Sequence, residues 1–145
     1  MLSAAATALV CALGALNRSA ETFPRIEFLD TVPAYASVGT EAFARQSTNT
    51  IYIIASSSVV RNAAGRRPGQ CGDVNEVKKL ASILIHEEWH LKHGPDEKSA
   101  YERQLIALQA MGVGPGVSVY HDVQLSMLRV LDARKRNPVT ILAEK

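Results

Sequence analysis

Residues 73–97, DVNEVKKLASILIHEEWHLKHGPDE, hold the strongest helical pattern in this chain of 145 residues and end in a sharp break. Asp73 stands where a helix N-cap belongs, and Glu76 three positions on completes a capping-box start. Val77, Leu80, Ala81, Leu84 and Ile85 recur at helical spacing, so the segment from 73 to about 93 reads as a helix buried along one side. Gly94-Pro95 stops it, because glycine accepts a C-terminal cap conformation and proline cannot continue the hydrogen-bond ladder. Pro95 also suits the first turn of a second helix, with Asp96 and Glu97 near its positive end. That helix runs through Ala100, Leu105, Ile106 and Leu108 to Met111-Gly112. Two helices joined by so short a link run antiparallel, and the end of the first faces the start of the second.

Within the first helix, His86-Glu87-Glu88-Trp89-His90 match the pattern H-E-x-x-H. A helix turns about 100° per residue, which puts the two histidines on one face, one turn apart, able to reach one zinc ion. Glu87 lies beside that face as a candidate base for an attacking water. A catalytic zinc takes three protein ligands, and the hairpin brings Glu97 nearest; Glu102 is the second candidate and Asp96, a good helix cap in its own right, the third. An oxyanion donor is also needed, with Tyr101, on the same helix face as Glu97, and the pair Tyr120-His121, just before the last helix, as candidates. Glu88 reads as solvent-facing, Trp89 as packing behind the site, and His93 as a helix-end histidine favoured by the dipole.

H-E-x-x-H followed by Glu97-Lys98-Ser99-Ala100-Tyr101 resembles the gluzincin metallopeptidases, whose third ligand is a glutamate on a following helix. The stretch 71–112 looks like small bacterial zincin-like proteins in which this hairpin is compressed, and it covers about a third of the chain. The resemblance implies zinc held by His86, His90 and Glu97, with Glu87 as general base for peptide-bond hydrolysis. It also puts residues 50–55 where zincins keep an edge strand that pairs with substrate backbone. The spacing departs from the large gluzincins, since only six residues separate His90 from Glu97. The metzincin pattern is nearly met by Asp96, but His93 stands where its glycine belongs, and Met111 reads as a core filler rather than that group's methionine turn.

The remaining chain bounds the alternatives. At 47% hydrophobic and 21% charged it fits one globular domain, and a net charge of +2 is too small to point to nucleic acid. Arg61, Arg66 and Arg67, like Arg134, Lys135 and Arg136, lack interleaved aromatics and read as solvated charges. Cys11 and Cys71 do not indicate a disulfide framework, and Cys71 reads as an incidental thiol. Residues 1–16 carry no charge. They have the length of a secretory signal, with Ala12-Leu13-Gly14 as a cleavage site, but no Lys or Arg precedes the apolar run. Leu2, Leu9, Leu13 and Leu16 fall at helical spacings, which favours a packed helix and a cytoplasmic setting over export. The run is too short for a secure membrane span.

Residues 24–30 and 50–55 read as strands, 41–45 as a short helical turn, 59–64 as a short helix, 65–70 as a loop and 122–136 as a last helix. The expected architecture is α+β: an apolar helix or signal segment over 1–20, then a single minimal zincin-like domain over 21–140. In it a small antiparallel or mixed sheet lies on the helix hairpin, beside a C-terminal helix. The expected activity is a zinc metallopeptidase acting on a peptide or protein substrate. The alternatives are a zinc-binding regulatory or protein-interaction module without hydrolysis, and a helical interaction domain with a fortuitous motif.

Overall fold

Asp73 caps the long helix as its position demands: Oδ1 accepts from the backbone N–H of Asn75 and of Glu76, both at 3.0 Å. The computed structural model describes residues 3–36 and 39–136. Its elements are α1 (Ala4–Ala15), β1 (Arg25–Leu29), β2 (Ala42–Arg45), β3 (Thr50–Ile54), α2 (Ser58–Ala63), α3 (Val74–His93), α4 (Glu97–Ala110) and α5 (Ser118–Arg136). Among the described residues, five α-helices and a three-stranded mixed sheet make an α+β fold. None of the described helices is long and apolar enough to cross a membrane.

The sheet order is β1-β3-β2, with β3 parallel to β1 and antiparallel to β2. The central place suits the sequence TIYII, because β-branched and aromatic residues fit a pleated, largely covered surface. Ile51 and Ile53 are fully buried in the core that α3 also enters through Leu80, Ala81 and Leu84. Two expectations are corrected here. Residues 41–45 do not form a helical turn: Ala42–Arg45 is strand β2, where Phe43 lies opposite Tyr52 with the rings stacked at 5.0 Å. Cross-strand pairing of this kind outweighs local helix propensity and is invisible in a short segment. The strand at 50–54 is therefore central, with β1 at one edge and β2 at the other.

The ladder also tells which way that edge points. The Ile54 N–H donates to the Glu41 carbonyl at 2.9 Å, and hydrogen-bonded pairs alternate along antiparallel strands. Pairs 43/52 and 45/50 continue the bonded set, so the backbone N–H and C=O of Ala42 and Ala44 face away from β3.

Helix α1 is Ala-rich, as helix propensity favours, and Ser3 caps it by accepting from the Ala6 N–H at 3.1 Å. It buries Ala8, Cys11, Ala12 and Leu13 in the same core as α2, α3 and the sheet. Leu13 takes the expected packing role; Leu9 and Leu16 are partly buried, and Leu2 lies outside the described residues. Cys11 and Cys71 form a disulfide, which corrects the reading of Cys71 as an incidental thiol. The two are 60 residues apart in sequence, and only the packing of α1 along α3 brings their Cα atoms to 5.8 Å. Next to it, Gly72 passes so close to α2 that a Cβ would lie 2.2 Å from the Asn62 carbonyl oxygen.

Gly94 ends α3 with φ +96°, and Asp96 caps α4 by accepting from the Lys98 N–H at 3.1 Å. The hairpin is antiparallel as expected: Glu97 meets His90 and His86, while Gln104, two turns on, meets His86 and Ser82. Helix α5 starts four residues earlier than the sequence pattern places it, so Tyr120 and His121 lie in its first turn rather than before it. Val119, Tyr120 and Val123 pack there with Leu108 and Val113 in a second, smaller core.

Candidate metal centre

The last two turns of α3 carry His86, Glu87 and His90 out of the main core to a junction with β2, α4 and α5. All three remain buried, and one donor atom from each lies within 4.8 Å of the others, a group able to hold a metal ion. They line a cavity of about 360 Å³ that is also lined by β2 and by Val123, Ser126 and Val130 of α5.

Each imidazole is oriented from behind. The His90 Nδ1–H donates to the Gly94 carbonyl at 2.7 Å, so the residue that ends the helix also fixes this ring. The His86 Nδ1–H donates to Gln104 Oε1 at 2.9 Å; Gln104 Nε2 donates to Ser82 Oγ at 3.2 Å; and Ser82 Oγ donates to the Lys79 carbonyl at 2.7 Å. This chain assigns the tautomer: with Nδ1 protonated on both rings, both Nε2 atoms turn lone pairs to the cavity. They stand 3.2 Å apart. Glu97 Oε1 joins them, 3.0 Å from His86 Nε2 and in contact with His90 Nε2. Tetrahedral zinc with bonds of about 2.0–2.1 Å separates its ligands by about 3.3 Å; the Nε2–Nε2 and His86 Nε2–Oε1 spacings come near this, whereas Oε1 lies closer to His90 than such a site allows. Glu87 Oε2 is set further back, 3.9 Å from His86 Nε2.

The protonation states agree with this geometry. Burial lowers the His86 pKa, opposed in part by the Glu97 carboxylate, which favours the neutral ring that binds metals. Burial by itself would raise the Glu97 pKa, but when either imidazole takes up a second proton its Nε2–H donates to Oε1, which outweighs burial and holds the carboxyl well below its usual range. Tyr101 lies edge-on to the His86 ring at 4.4 Å between centroids; burial, reinforced by the Glu97 and Glu87 charges, keeps its phenol protonated.

Of the carboxylates considered from sequence, Glu97 reaches the histidines. Glu102 is exposed, and Asp96 is occupied as the α4 cap, its Oδ2 accepting from Ser99 Oγ at 2.7 Å. Of the three oxyanion candidates, Tyr101 lines the cavity; Tyr120 is buried in the second core with its hydroxyl accepting from Gln109 at 3.1 Å, and His121 is exposed. Trp89 is half-buried beside His90, and exposed His93 rests against its ring at 5.0 Å. Glu88 corrects its reading as solvent-facing: it is buried and bound by Arg18 at 2.8 Å, a partner 70 residues away that no helical pattern reveals. Gln104 was also missed, although it follows Glu97 by seven residues and so shares its helix face.

Fold and site together define an α+β domain with a buried His–Glu–His group that can hold a metal ion. Compared with family models, with curated proteins and with solved structures, the chain finds no match in any of the three.

Proposed function

We propose that this chain is a zinc metallopeptidase of the H-E-x-x-H plus glutamate kind, with His86, His90 and Glu97 as ligands and Glu87 as general base. One observation carries the reading: two imidazole lone pairs and a carboxylate oxygen converge within 3.2 Å, each fixed from behind, a donor set matched to a cation. When bound, zinc polarises a carbonyl and lowers the pKa of water toward neutrality. Glu87, held off the ligand cluster but on the cavity wall, takes a proton from the attacking water and returns it to the leaving amine. The Tyr101 O–H, kept protonated, donates to the developing oxyanion. An extended peptide finds backbone partners at Ala42 and Ala44 on the free edge of β2, so substrate recognition by strand addition moves there from residues 50–55. The Cys11–Cys71 disulfide favours work in an oxidising compartment rather than the cytoplasm.

The test pairs metal analysis with peptide-library cleavage for the wild type, Glu87→Gln, His90→Ala and Glu97→Ala. Expected are stoichiometric zinc in wild type and Glu87→Gln, its loss in the other two, and hydrolysis in wild type alone. Undiminished turnover by Glu87→Gln refutes the mechanism. Zinc binding without any cleavage moves the assignment to a zinc-binding regulatory module.

A further inference from the structure

We propose that Arg134 on α5 is the positioning residue for Glu97, and that its grip makes metal uptake depend on the seating of α5. This deepens the metal-site reading and rests on it. Glu97 has two oxygens with different tasks. Oε1 faces both histidines, whereas Oε2 accepts from Arg134 Nη2 at 3.4 Å. Both side chains are about nine-tenths buried, with 10% of Arg134 and 9% of Glu97 exposed. A guanidinium stays charged at any working pH, and burying one is costly unless an anion faces it. Here that anion is the carboxylate that the histidines also engage.

The consequence is geometric. A carboxylate drawn outward at Oε2 by Arg134 would present Oε1 rather than both oxygens to a cation, which would leave coordination space open, as a catalytic site requires. Arg134 is 37 residues beyond Glu97 in sequence and comes from the last turns of α5. Those turns reach Glu97 only while Val123, Ser126 and Val130 lie along the cavity. Arg134 thereby ties the packing of a separate helix to the order of the ligand set, and linkage requires the converse: metal held at Glu97 must steady α5.

The experiment uses the full chain with zinc as probe. Zinc affinity is measured by chelator competition for wild type, Arg134→Ala and Arg134→Lys, and amide exchange over 127–136 is followed with and without zinc. Arg134→Ala is expected to weaken zinc by about 10–100-fold, as loss of a group orienting a ligand does. Arg134→Lys, which keeps charge but not the fork, should recover part of that loss, and zinc should slow α5 exchange in wild type but not in Arg134→Ala. Because Arg134 lies in the last described turn of α5, both variants should keep the wild-type circular dichroism; if Arg134→Ala loses helix, Arg134→Lys carries the comparison. Zinc affinity within twofold of wild type in Arg134→Ala, or α5 exchange indifferent to zinc in wild type, overturns the proposal and leaves the metal reading standing. Failure of wild type to take up zinc overturns both.

Discussion

Replacing both Cys11 and Cys71 by serine removes the covalent tie between α1 and the start of α3 while leaving the turns that carry His86 and His90 untouched. The bond spans 60 residues, so its loss returns to the unfolded chain a loop-closure entropy equivalent to about 4 kcal/mol at 25 °C. Unfolding entropy of about 2.1 cal/mol/K per residue, over 145 residues, converts this into a Tm lower by about 14 °C. Scanning calorimetry should be run with excess chelator, since bound metal would add its own stabilisation to both proteins. Zinc affinity should stay near wild type, because His86 lies 12 residues down α3 from its first residue, Val74, about 18 Å at 1.5 Å per residue. A Tm decrease below about 4 °C would refute the entropic reasoning. Two titratable thiols in the denatured, unreduced wild type would refute the bond itself.

Gln104→Leu should weaken zinc by about tenfold, since His86 loses the acceptor that fixes its tautomer. It should also lower stability by about 1–3 kcal/mol, because the buried His86 Nδ1–H loses its acceptor while Ser82 keeps the Lys79 carbonyl but loses its donor; chelator competition and calorimetry measure the two effects separately. The Glu88–Arg18 pair predicts an acid limb in stability. Burial would raise the Glu88 pKa, but the hydrogen bond and charge of Arg18 outweigh it and leave the folded value below the ordinary 4.5. The unfolded chain therefore binds the extra proton first. The pair's contribution is full above that ordinary value and is lost as pH falls below it through the folded pKa. Urea midpoints taken from pH 6 to pH 3 should fall less steeply for Glu88→Gln, and an unchanged slope counts against the pair.

Helix α3, its cap, the Gly94-Pro95 break and the antiparallel hairpin were legible because each depends on contacts within a few residues, and helical periodicity writes those contacts directly into sequence. The same locality made His86, Glu87, His90 and Glu97 readable together, as 12 consecutive positions and one turn bring them to a single place. Gln104 stood within reach of that logic through its shared face with Glu97. Other features depend on residues distant in the chain. Strand β2 exists because Phe43 and its neighbours find β3, against a local pattern that favours a turn. Glu88 is buried because Arg18 arrives from the end of α1. Cys71 is bonded because α1 packs along α3. Arg134, which looked like one charge in a solvated basic run, lies against Glu97 because α5 crosses the end of the hairpin. Sequence by itself determined the hairpin that carries the candidate metal group, since its geometry is that of the helix and one tight turn. Only the tertiary structure decided what orients His86, which strand edge faces the cleft and which cation faces Glu97, because those contacts join segments that share no local register.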